Sequence, residues 1–206
     1  MIIEVRTYQL KPGSVAEVEK RFGEKLPERE KLSKLTALWH TEVGPLNEIT
    51  HIWTYDSFEQ RMAIRTEAVK TKVWPPAIGE FIVSMQSEIF IPAPFSPSLE
   101  PRAVGPLFEI RSYTLAPGAL PGMMERWAGK IDERVKLSPL VGAWYSELGG
   151  LNKWVHIWAY KDAAERQRIR AEAVARGVWP PGGGAAGLVV KQENKLVMPA
   201  ACSPLR

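Results

Sequence analysis

The chain has one cysteine, Cys202, so it can form no intrachain disulfide and no thiolate metal cluster. It has no apolar run near the roughly 20 residues a membrane helix needs. Met1 leads directly into Ile2-Ile3-Glu4-Val5-Arg6, where charges interrupt any apolar secretory core. Lys and Arg never run beyond two in a row, and their excess is mild: 27 − 23 = +4. The electrostatic stripe that nucleic acid requires is therefore missing. What remains, 206 residues with 45% hydrophobic and 24% charged, is ordinary for a globular protein of a reducing, cytoplasmic compartment.

The chain repeats itself. Ile3-Glu4-Val5-Arg6-Thr7-Tyr8 through Pro12-Gly13 returns as Phe108-Glu109-Ile110-Arg111-Ser112-Tyr113 through Pro117-Gly118, and the register holds without a gap from Ile2/Leu107 to Gly79/Gly184. A period this long marks two domain-sized copies, since solenoid periods run from about 20 to 50 residues. Residues 1–91 form one unit and 107–206 the second with a tail. Five prolines between Pro92 and Pro106 make the segment between them an extended, semi-rigid connector.

Each copy reads alike. Residues 2–10 are a strand ending at Pro12-Gly13. Val15, Val18, Phe22 and Leu26, matched by Leu120, Met123, Trp127 and Ile131, stripe one face of a helix. Strands follow over 35–42 and 47–55, then a helix from Phe58 to Lys72 that must stop near Trp74, because Pro75 disfavours helical geometry before it. A last strand spans 81–91, or 188–198 in the second copy. The fold class is thus α+β: two ferredoxin-like βαββαβ repeats packed sheet to sheet as an intrachain dimeric α/β barrel. Both ends of Trp39–Glu42 are identical in the copies although a regular strand would point them to opposite faces, so a bulge belongs there.

Strand parity splits the repeat comparison by face. Ile2, Glu4, Arg6, Tyr8, Leu10, Asn47, Ile49, His51, Trp53 and Tyr55 share one face, and all but Ile2/Leu107 and Ile49/Trp154 are identical in the second copy. On the other face only Ile52/Ile157 matches. The variable face suits packing under helices, which leaves the matched polar face to line the space between the sheets. There His51 and His156 are candidate general bases, and Arg6 and Arg111 candidates to stabilise an enolate or carboxylate. Glu4, Tyr8, Asn47, Trp53, Tyr55 and their counterparts Glu109, Tyr113, Asn152, Trp158 and Tyr160 would surround a small, partly aromatic ligand. No metal is expected: each copy offers one such histidine and one carboxylate, short of the usual three or four ligands. Nor is a cofactor. Gly182-Gly183-Gly184 follows a helix, the wrong place for a phosphate-cradling loop. Trp74-Pro75-Pro76 and Trp179-Pro180-Pro181 read as helix stops tucked against the core or as a pocket rim. Arg61, Arg65, Arg166 and Arg170 read as a solvated helix face or partners of Glu67 or the sheet edge, with an anion site the alternative.

The combination of E-x-R-x-Y, L-x-P-G, W-x-x-E-x-G-x-L-N-x-x-x-H-I-W-x-Y, R-x-x-I-R-x-E-A-V and W-P-P in each copy resembles the NIPSNAP family of the dimeric α/β-barrel superfamily. The resemblance covers residues 2–91 and 107–198 and implies the same two-sheet barrel, but no settled activity to carry over. The expectation is a cytoplasmic barrel protein holding a small organic ligand between its sheets, with or without cofactor-independent catalysis. The alternative is a non-catalytic scaffold with a filled interior. Neither nucleic acid nor membrane is an expected partner; further homo-oligomerisation is allowed.

Overall fold

A computed structural model describes residues 1–182 and 186–206; Gly183 and Gly184 of the glycine run lie outside the described residues. The first repeat runs β1 (Ile2–Leu10), α1 (Val15–Arg29), β2 (Leu35–Val43), β3 (Glu48–Tyr55), α2 (Phe58–Lys70) and β4 (Ile82–Pro92). The second runs β5 (Leu107–Leu115), α3 (Leu120–Ala128), α4 (Ile131–Arg134), β6 (Leu140–Leu148), β7 (Lys153–Tyr160), α5 (Ala163–Ala175) and β8 (Val189–Pro199). Ser57 and Asp162 cap α2 and α5 by accepting from the backbone N–H of Gln60 and Glu165. The single helix expected over Leu120–Ile131 is broken, because Gly129, a weak helix former, ends α3.

The eight strands close into one barrel in the order β1-β3-β2-β8-β5-β7-β6-β4, so the repeats join through β2·β8 and β4·β6. At both joins one residue is skipped, Glu42 opposite β8 and Glu147 opposite β4, which locates the expected bulge in each copy. Just beyond β4 and β8 a matched Pro-Ala-x-x-Ser-Pro closes each join. Ala93 donates its N–H to Ala143 O and Ser96 Oγ accepts from Ala143 N; Ala200 and Ser203 treat Leu38 in the same way. The connector and tail then pair with each other through Arg102 and Leu205.

The face assignment made from the sequence is inverted. Ile3, Ile52, Trp39 and Phe90 of the first repeat pack against Phe108, Ile110, Trp144 and Ile157 of the second, so the variable face lines the barrel. Trp39 stacks on Phe108 with ring centroids 4.6 Å apart. The matched face instead meets the helices: Tyr8, Leu10, Ile49, Trp53 and Tyr55 cluster with Val18, Phe22 and Leu26 of α1. The physical reason is that a barrel interior shared by two copies needs complementary volumes, not equal ones. Its residues are free to differ between the copies, and tolerance of identity does not mark a helix-covered face.

Candidate functional site

Each repeat carries its matched polar residues in a layer between sheet and helices. In the first, the fully buried Glu4 carboxylate gathers Arg6 from its own strand at 2.8 Å, Arg61 from α2 at 2.5 Å and Arg65 at 4.0 Å. Ser87 of β4 donates to it at 2.7 Å. Burial alone would raise the Glu4 pKa, but the Arg61 and Ser87 hydrogen bonds and the Arg6 charge override it and hold the carboxyl at about 2. The second repeat repeats this around Glu109: Arg111 at 2.7 Å, Arg166 at 2.6 Å, Arg170 at 3.6 Å, and Asn194 in place of Ser87. The helix arginines therefore turn toward the sheet carboxylate, Arg61 and Arg166 mostly buried and Arg65 and Arg170 more than a third exposed, and are not partners of Glu67. They reach beneath their helix to the sheet.

The histidines do not share one lumen. They occupy equivalent points of two separate layers, each only 1% exposed: His51 against Tyr8 and Phe22, His156 against Tyr113 and Trp127. Their hydrogen-bond partner is the tryptophan two residues on, not a tyrosine or glutamate of the layer. Trp53 Nε1 donates to His51 Nδ1 at 2.7 Å, and Trp158 Nε1 to His156 Nδ1 at 2.8 Å. An indole N–H can only donate, so Nδ1 is the acceptor and the ring proton sits on Nε2. Burial first, then the neighbouring Arg6, lowers the His51 pKa to about 3; burial and Arg111 lower that of His156 well below its usual value. Both imidazoles are thus neutral with no free basic nitrogen facing solvent. This corrects the general-base assignment.

Asn47 and Asn152 are also reassigned. Both end the β2–β3 and β6–β7 turns with φ of 55° and 56°, and their carbonyls accept from Leu10 N and Leu115 N. Asparagine tolerates that left-handed backbone, so turn geometry accounts for its recurrence.

Beneath α2 lies a cavity of about 370 Å³. Its charged wall is Arg6, Arg29 and Arg65; its apolar wall includes Tyr8, Phe22, Ile82 and Met85, and Trp74-Pro75-Pro76 forms part of the rim. Trp74 meets Phe22 and Trp53 edge-on, so this motif both packs against the core and borders the cavity. Glu4, Tyr55, Trp53 and His51 stand behind this lining. Arg29, 2% exposed, lies over the Trp53 ring at 4.5 Å and donates to Ser33 Oγ at 2.7 Å and Tyr55 OH at 3.3 Å. Its Nε has no partner, and among the described residues no carboxylate lies within ion-pair distance of it. Burial lowers its pKa, the sign of a charge held without full compensation. In the second repeat Arg111, Tyr113, Arg134 and Trp158 line a cavity of about 280 Å³, with Arg134 held by Ser138 and Tyr160. Glu109 and His156 stand behind it.

Arg29 and Arg134 were not singled out from the sequence, although the block Glu28-Arg29-x-Lys31-Leu32-Ser33 returns intact as Glu133-Arg134-x-Lys136-Leu137-Ser138. That identity outside the strands was the available signal. Among the described residues no three His, Cys, Asp or Glu side chains gather as a metal site would require, and no helix is long and apolar enough to cross a membrane.

The NIPSNAP family model matches residues 3–97 and again 108–204. A NipSnap homologue from Dictyostelium discoideum is 40% identical over 92 residues, 43% of this chain and 41% of that protein. Human NipSnap homologue 3A is 29% identical across 98% of this chain and 85% of its own length. Among solved structures, a putative monooxygenase from Lactobacillus acidophilus superposes over 96% of this chain and 92% of its own with TM-score 0.66 and 8% identity. At that identity it shows the same fold alone.

Proposed function

The chain belongs to the NIPSNAP family, and from its own site we propose that it is a binding protein for a small organic anion, seated beneath the helices rather than between the sheets. The observation that carries this reading is the Arg29 guanidinium: buried, unpartnered at Nε, and facing a 370 Å³ cavity. Arg6, Arg29 and Arg65 line that cavity, and Glu4 behind them pairs with Arg6, Arg61 and Arg65 but not with Arg29, leaving an excess of positive charge that a bound anion would neutralise. Guanidinium groups suit a carboxylate head, and Phe22, Tyr8 and Ile82 suit an apolar body. Binding without catalysis is favoured because His51 has no free basic nitrogen. Trp39, Phe90, Phe108 and Trp144 fill one end of the barrel interior, while a cavity of about 580 Å³ lined by Thr7, Glu48, Gln86, Ser112, Lys153 and Lys195 opens at the other; the buried, incompletely partnered guanidinium favours the helix-covered cavity over it.

Thermal shift tests the proposal with 3-phenylpropionate and its neutral analogue 3-phenylpropanamide. Ligand that binds the folded state raises its melting temperature. The carboxylate should stabilise the protein and the amide should not, and Arg29→Met should weaken carboxylate binding by about tenfold or more. Equal shifts from both compounds, or no shift from either, would overturn it.

A further inference from the structure

The two helix-covered cavities differ in a way that the repeat does not require. In the first repeat the guanidinium wall and the apolar wall enclose one continuous space. In the second it is divided: the part beside Arg111, Arg134 and Arg170 keeps about 280 Å³, while the part beside Met123, Trp127 and Val189 shrinks to about 40 Å³. Among the described residues, side-chain volume differs at the divide. Trp127 stands where the first repeat has Phe22, and Trp154 where it has Ile49; the two indoles pack edge-to-face with centroids 5.1 Å apart. Trp179 meets Trp127 edge-on at 4.6 Å just as Trp74 meets Phe22 at 4.7 Å, so the larger rings at the positions of Phe22 and Ile49 make the difference. Gln192, which borders both parts, stands at the place of Met85.

Resting on the anion-site reading above, we infer that the chain holds two sites of different specificity: an anion with an apolar body in the first repeat, and a compact hydrophilic anion in the second. The second site keeps the head-group machinery, including Arg134, which is 2% exposed with its Nε unpartnered, as Arg29's is. It is cut off from the apolar extension beside Met123, Trp127 and Val189. Guanidinium pairs recognise a small dicarboxylate without needing an apolar wall. A phenyl group reaching from those guanidinium groups toward Met123 and Val189 would have to displace Trp127 from a close-packed indole cluster.

The test is calorimetric titration of the full chain with 3-phenylpropionate and with malonate. The wild type should take one 3-phenylpropionate. Trp127→Phe, which restores the residue of the first repeat, should raise that to two, while Phe22→Trp should remove it. Arg65→Gln should weaken 3-phenylpropionate by about tenfold or more and leave malonate in the second site. Arg170→Gln should remove that malonate and leave 3-phenylpropionate unchanged. Two equal 3-phenylpropionate sites in the wild type, or arginine variants that weaken both probes alike, would overturn the difference in specificity and leave the anion-site reading standing. Binding of neither probe would overturn both.

Discussion

At the scale of single residues, the histidines decide how the chain responds to acid. The folded state holds His51 near pKa 3, whereas an exposed imidazole titrates near 6.5. Between those values the unfolded chain binds the extra proton, so stability is present above about pH 6.5 and is lost as pH falls. His156 acts with the same sign. His51 should contribute a slope of about 1.4 kcal/mol per pH unit between roughly pH 6 and 4, and His156 adds to it in the same direction. Glu4, depressed to about 2, adds a further loss below the usual carboxylate range. Urea unfolding at stepped pH should show this slope flattened in a His51→Gln/His156→Gln variant; an unchanged slope would mean that the imidazoles are not held neutral. Matched strand residues revealed in the sequence which side chains form the layer. They could not reveal the tautomer, because that depends on an indole N–H aimed at Nδ1 two residues away on the same face.

At the scale of elements, periodicity located the strands and long helices to within a few residues, because apolar spacing and Pro-Gly punctuation are local properties. The facing of the sheet is not local. One clue was present: Arg61 and Arg65 recur with Glu4, and helix arginines with a strand carboxylate as partner imply that the carboxylate's face lies under that helix. The β2–β3 turn separates a backbone role from a ligand role. Asn47 has φ 55° and its side chain is absent from the cavity lining. Asn47→Ala should cost about 1 kcal/mol of stability, and Asn47→Gly much less, since only glycine enters that region without a Cβ penalty. Both should leave 3-phenylpropionate affinity unchanged in the same titration. A loss of affinity with intact stability would return Asn47 to the site.

At the scale of the whole molecule, the barrel makes each repeat the cover of the other. A fragment of residues 1–95 would expose Ile3, Trp39, Ile52 and Phe90, not the helix-covered Tyr8, Ile49 and Trp53, and should dimerise or aggregate in ultracentrifugation. The choice of partner is written in charge. Glu48 pairs with Lys195 at 2.5 Å and Lys153 with Glu88 at 2.5 Å, both across the repeat boundary and mostly buried. Lys153 occupies the place of Glu48, and Lys195, allowing for the shift of two residues in the last strand, that of Glu88. Pairing two first repeats would set carboxylate against carboxylate, and pairing two second repeats ammonium against ammonium. The repeats are therefore complementary to each other and mismatched to themselves, which discriminates against self-pairing. In the full chain, Lys195→Glu and Glu48→Lys should each destabilise by about 1–3 kcal/mol, because each places like charges together in a half-buried site. Combining them restores an opposite pair, so the double variant should recover most of that loss, a coupling of about 1–3 kcal/mol in urea unfolding. The Thr50 hydroxyl, which now accepts from Lys195 at 2.8 Å, would face a carboxylate instead and could donate to it. Strictly additive single losses would show that the pairs are incidental to how the two halves recognise each other.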